Sequence, residues 1–169
     1  MKEAILKRLE VSQSMVNGGV SRKEQTKEVA ERNQYRHPPQ GFIKLNFDGA
    51  TKHNPGEAGI GGVFRDVEGN TLRTFAMDYG EASNNEAELH ALKRGLEIAL
   101  RVNIKRLQIE GDSKLVIDMV RKLQHQQPVE KISKSWRTAW LVGEIGKLLP
   151  RIDYLLPTHT KCAGNKPAD

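Results

Sequence analysis

The stretch "FIKLNFDGATKHNPGEAGIGG", residues 42–62, decides how the rest of the chain is read. Its first half alternates: Ile43, Leu45 and Phe47 share one face, and Lys44, Asn46 and Asp48 the other, the period of a strand with one buried side. The polar face closes on a carboxylate at the expected strand end, followed by Gly49 and a turn built on Asn54, Pro55 and Gly56. An aspartate in that place either caps the turn or presents a ligand to a cleft, and its companions must decide.

Further strands and helices follow at once. Gly59–Asp66 and Thr71–Tyr79 read as strands joined by the turn Val67-Glu68-Gly69-Asn70, so the first three strands form an antiparallel meander. Leu89, Leu92, Leu96 and Leu100 then step at helical spacing. "IKRLQIEGD" is a fourth strand, Ser113–Leu123 a second helix with Val116, Val120 and Leu123 on its stripe, and "RIDYLLPTH" a fifth strand. A third helix between them carries Trp136, Trp140, Leu141, Ile145 and Leu148, with both tryptophans expected in the core. The order predicts an α/β domain over 41–169, a mixed five-stranded sheet with flanking helices. Residues 1–40 are polar and basic apart from Ala4–Val11 and end in "RNQYRHPPQG", so they read as a loosely helical leader or linker.

The 169 residues suffice for one real core, and 37% hydrophobic with 28% charged residues reads as a globular chain. No apolar run approaches the roughly 18–20 residues of a membrane span. The first residues, MKEAILKRLEVSQ, lack the pattern of a secretory signal, and the single cysteine, Cys162, excludes an internal disulfide. The expectation is an intracellular protein, cytoplasmic or nuclear, without a membrane partner, and a monomer. The net charge of +6 is uneven: residues 41–120 carry 10 basic and 12 acidic side chains, whereas residues 121–169 carry 9 and 4. An acidic middle beside a basic end fits a carboxylate site next to a phosphate-attracting surface, and equally fits ordinary solvated charge.

Asp48 now acquires company. Glu88 stands one turn before Leu92 in the first helix, and Asp112 ends the fourth strand. Asp169 follows the fifth strand in "THTKCAGNKPAD". Carboxylates converging at strand ends repel one another unless divalent cations lie between them. Oxygen-only ligation favours Mg2+, with Mn2+ as a substitute, over zinc. Two such ions suit in-line phosphodiester hydrolysis.

"NFDGATKHNPG", "SNNEAELHAL", "IEGDSK" and "THTKCAGNKPAD" resemble, in order and approximate spacing, the active-site motifs of type 1 ribonuclease H. With "PPQGFIKLN" ahead of them, they look most like the ribonuclease H domains of plant retroelement (non-LTR) reverse transcriptases. The resemblance covers residues 38–169 and implies a ribonuclease H-like fold lacking its C-terminal helix. It implies Asp48 as a ligand shared by two ions, Glu88 and Asp112 completing one shell, and Asp169 the other. His159 takes the place of a histidine that assists product departure. Asn54, Asn84, Asn85 and Asn165 fall at substrate-contacting positions, the first three around the RNA strand and its 2′-hydroxyls. Ser83 falls where relatives hold a DNA phosphate, but the arginine expected two residues earlier is Glu81. The implied activity is a metal-dependent endonuclease that cuts the RNA strand of RNA–DNA hybrids. The alternative is a non-catalytic nucleic-acid-binding remnant of a retroelement with the same fold. Taken alone, Asp112 could cap the helix after it, Asn84 and Asn85 could cap theirs, and Glu86 reads as an ordinary first-turn charge. "GIGG" at 59–62 opens no helix, so close strand packing explains it better than phosphate binding.

Overall fold

Alternation carries the first strand past its expected end: β1 runs Ile43–Thr51, so Asp48 lies within it. The computed structural model describes residues 1–17 and 36–161. β2 (Gly56–Arg65) and β3 (Thr71–Ala82) complete the expected antiparallel meander. Their turn is held by Asp66, whose Oδ1 accepts from the backbone N–H groups of Glu68 and Asn70, both at 2.9 Å. Gly69 supplies the positive φ of 88° that this turn requires. β4 (Arg106–Gly111) pairs in parallel with β1, and β5 (Tyr154–His159) in parallel with β4. The sheet order is therefore β3-β2-β1-β4-β5, with β1 at the centre.

One face of β1 buries Leu45 and Phe47 against a helical layer. That layer comprises the helix Asn84–Arg101, the helix Lys114–Gln124, the single turn Val129–Ile132 and the helix Trp136–Leu148. Counting a helix over residues 2–17 as α1, these are α2, α3, α4 and α5. Leu89, Leu92 and Leu96 of α2 are buried as their spacing predicts. Gly95 lets α2 lie directly on Leu45, whose Cδ2 is 2.4 Å from where a Cβ would stand. The tryptophans depart from expectation: Trp136 is 77% and Trp140 58% exposed, while Leu141, Val142 and Ile145 supply the core face of α5.

The other face of the sheet carries the first part of the stretch read as a loosely helical leader, and residues 18–35 of that stretch lie outside the described residues. Lys2–Asn17 form α1, which lies on β1, β2 and β3 and buries Ile5 and Leu9 against Val63. Gly59 and Gly61 make the room, since a Cβ on them would stand 2.6 Å from Met1 Cβ and 2.7 Å from Ile5 Cγ2. Part of "GIGG" thus serves helix-on-strand contact. Among the described residues, no helix is long and apolar enough to cross a membrane.

Candidate active site

Two glycines set the positions of the carboxylates. The residue after Asp48 is Gly49, and a Cβ there would stand 2.2 Å from the carbonyl carbon of Ala87 and 2.4 Å from the amide nitrogen of Glu88. The first turn of α2 therefore presses directly on the β1 backbone, which brings Glu88 beside Asp48. Gly111, just before Asp112, receives the ring of Phe47, with Cζ 2.6 Å from its notional Cβ. The β1–β4 ladder ends at Asn46 and Glu110, so Asp48 and Asp112 stand just past the last paired residues. One carboxylate oxygen from each of Asp48, Glu88 and Asp112 lies within 4.8 Å of the other two.

The cluster is electrostatically expensive. Asp48 is 8% and Glu88 7% exposed, while Asp112 is open to solvent. Burial pushes the Glu88 carboxyl up to about 10, and the charges of Asp48 and Asp112 add to the rise. Burial also raises Asp48, to about 6, against the pull of Arg8 and with a push from Asp112. Glu88 Oε2 is buried with no hydrogen-bond partner. Three clustered carboxylates, one with a buried oxygen that lacks a partner, are a donor set that a hard divalent cation satisfies, so these residues fit such a cation.

The surrounding residues fall into place around the cluster. The His159 Nε2–H donates to the carbonyl of Asp112 at 3.1 Å, which places the imidazole at the rim beside β4. At the start of α2, the backbone N–H of Asn84 donates to Asn54 Oδ1 at 3.1 Å, and the Thr51 hydroxyl donates to Asn84 Oδ1 at 2.5 Å. The β1–β2 turn and the α2 terminus are thereby tied together, with Asn84 and Asn85 exposed. Ser83 is the N-cap of α2: its Oγ accepts from Glu86 N–H, and Glu86 Oε2 accepts from Ser83 N–H, a complete capping box. Ser113 caps α3, so Asp112 is not that helix's cap. Asp169, Asn165 and Cys162 lie outside the described residues.

Arg8 escaped the sequence reading. Its Nη2 stands 2.5 Å from Asp48 Oδ2, an ion pair reaching the cluster from α1. The available signal was its place between Ile5 and Leu9 in the amphipathic run Ala4–Val11, which fixes where the arginine must point once that run docks.

A central β1 with a parallel β4, a helix pressed on Gly49 and an acidic triad with Asp48 and Glu88 buried define the ribonuclease H class of α/β proteins. The chain belongs to the type 1 ribonuclease H family, and a family model described as "Reverse transcriptase-like" matches residues 46–169. A protein of Arabidopsis thaliana, named provisionally as a ribonuclease H protein, is 36% identical over 84 residues, 50% of this chain and 14% of its own length. Ribonuclease HI of Halobacterium salinarum is 37% identical over 76 residues, 45% of this chain and 38% of that protein. The alignments therefore span well under half of these relatives. Among solved structures, RNase H1 of the same archaeon superposes with a TM-score of 0.63 at 27% identity, covering 72% of this chain and 87% of that one. LC11-RNase H1 in complex with an RNA/DNA hybrid gives 0.61 at 29% identity, covering 71% and 86%.

Proposed function

We propose that the protein is a divalent-metal-dependent endonuclease that hydrolyses the RNA strand of RNA–DNA hybrids. The observation that carries this reading is the convergence of one carboxylate oxygen each from Asp48, Glu88 and Asp112 within 4.8 Å of one another, at a place where Glu88 also keeps a buried oxygen without a hydrogen-bond partner. Asp48, Glu88 and Asp112 would hold magnesium or manganese, with Asp169 as a further ligand and Asp48 shared between two ions. Cations bound there supply acidity to an attacking water and positive charge for the departing oxygen. Gly49 keeps Glu88 close enough to Asp48 to act with it, and a bound cation would offset the burial and repulsion that raise the Glu88 carboxyl. Asn54, tied to the N-terminus of α2, holds the exposed Asn84 and Asn85 where a ribose 2′-hydroxyl can meet their amides. His159, hydrogen-bonded through Nε2 to the Asp112 carbonyl, holds a proton at the rim where product leaves.

The ion pair of Arg8 with Asp48 favours a second reading, a nucleic-acid-binding protein without turnover. Labelled hybrid, double-stranded RNA and double-stranded DNA, each incubated with Mg2+, with Mn2+ and with chelator, separate the two. The expected result is RNA-strand cleavage in the hybrid alone, leaving 3′-hydroxyl and 5′-phosphate ends, and its loss in Asp48→Asn. Hybrid binding without cleavage under every cation condition would favour the second reading.

A further inference from the structure

We infer that α1 is an autoinhibitory latch: Arg8 seated on Asp48 closes the carboxylate cluster to divalent cations, and cation entry requires Arg8 to leave. The inference rests on the proposal that Asp48, Glu88 and Asp112 hold the cation.

The sheet is shaped to receive this helix. Gly59 and Gly61 leave the space that Met1 and Ile5 fill, and Ile5 is completely buried. Arg65, itself fully buried, donates from Nη2 to the carbonyl of Leu9 at 2.9 Å and so fixes α1 along its axis. With Ile5 and Leu9 held, Arg8 lies on the same side of the helix, and its guanidinium comes to rest 2.5 Å from Asp48 Oδ2. That contact occupies one of the two oxygens of a carboxylate that a pair of cations would have to share. It also sets a fixed positive charge against any cation approaching the other oxygen. Arg8 in effect supplies from within the chain part of the charge that a metal would bring.

The latch is held apart from the main core. Among the side chains described, α1 buries Ile5 and Leu9 against Val63 of β2, a cluster separate from the main core under α2, α3 and α5. An element packed on a cluster of its own can open without unfolding the main core. Coupling between two binding events is reciprocal, so Arg8 weakens cation binding by the same factor by which a cation loosens α1.

The test is calorimetric titration of Mn2+ and Mg2+ into the metal-free protein, beside Arg8→Ala, Ile5→Asp and Asp48→Asn. Amide exchange of residues 2–17 is followed with and without cation. Arg8→Ala removes the competing charge, and Ile5→Asp undocks the helix with Arg8 retained. Both should bind cation roughly tenfold more tightly than the unaltered chain, within the range usual for such couplings. Saturating Mn2+ should raise amide exchange across α1 in the unaltered protein and leave it unchanged in Arg8→Ala. Affinity equal to or lower than that of the unaltered chain in Arg8→Ala overturns the latch, as does exchange in α1 that ignores the cation. Equal binding by all forms except Asp48→Asn would overturn the latch alone. Absence of cation binding in every form would remove the metal site and the latch together.

Discussion

Glu88 shows how a single side chain can make the metal-free protein pH-sensitive. Its carboxyl titrates near 10 in the fold, against 4.5 in a free chain, because of burial first and the neighbouring carboxylates second. Between those values the folded state holds a proton that the unfolded state has released, so folding loses stability as pH rises across this window. Asp48, raised to about 6 from 3.8, adds a smaller loss at the acid end. Glu88→Gln should therefore stabilise the metal-free protein by about 1–3 kcal/mol at pH 7, with a gain that grows toward pH 9, while cleavage is lost. Urea denaturation in chelator at pH 5, 7 and 9 checks both sign and slope; a gain independent of pH would contradict the charge account. Gly49 acts through space instead of charge. Alanine there would drive a methyl into the backbone of Ala87 and Glu88, so Gly49→Ala should cost about 1–3 kcal/mol in thermal unfolding. Cation affinity should fall with it, since Glu88 can no longer sit as close to Asp48.

At the scale of elements, α5 and α2 separate what the sequence made legible from what it did not. The Leu89, Leu92 and Leu96 ladder of α2 faces the core because nothing on that helix competes with it. Residues 136–148 of α5 carry two candidate faces. Trp136 and Trp140 continue around the helix into Glu144 and Lys147, which are paired to each other at 2.9 Å on the surface. Leu141, Val142 and Ile145 lie closer together and continue into Leu149, so the denser stripe takes the core and the tryptophans are left outside. Trp136→Ala should then change unfolding free energy by no more than ~0.5 kcal/mol. Leu141→Ala should cost ~2–5 kcal/mol by creating a cavity, and comparable losses for the two would restore the buried reading of Trp136. Ser83, which the resemblance places at a substrate-contacting position, also caps α2 through its hydroxyl oxygen. Ser83→Ala should lower stability by about 1 kcal/mol, measured by denaturant unfolding, whatever it does to hybrid binding.

For the whole molecule, the sheet, its helical layer and the acidic triad could be read from the chain because each depends on local periodicity or on a short motif. The docking of α1 could not, because it depends on two glycines some fifty residues downstream and on Arg65 meeting the Leu9 carbonyl. Saturating Mg2+ or Mn2+ should raise the midpoint of thermal unfolding over that in chelator, and this rise should vanish in Asp48→Asn. The central, parallel pairing of β1 with β4 has a consequence in time. Synthesis delivers the β1–β3 meander and α2 first, carrying Asp48 and Glu88, but the third carboxylate arrives only with Asp112. Until β4 has left the ribosome and paired across that long separation, the cluster lacks its third carboxylate. The order of strands in the sheet is thus also a schedule, in which the acidic cluster is completed only by the fourth strand.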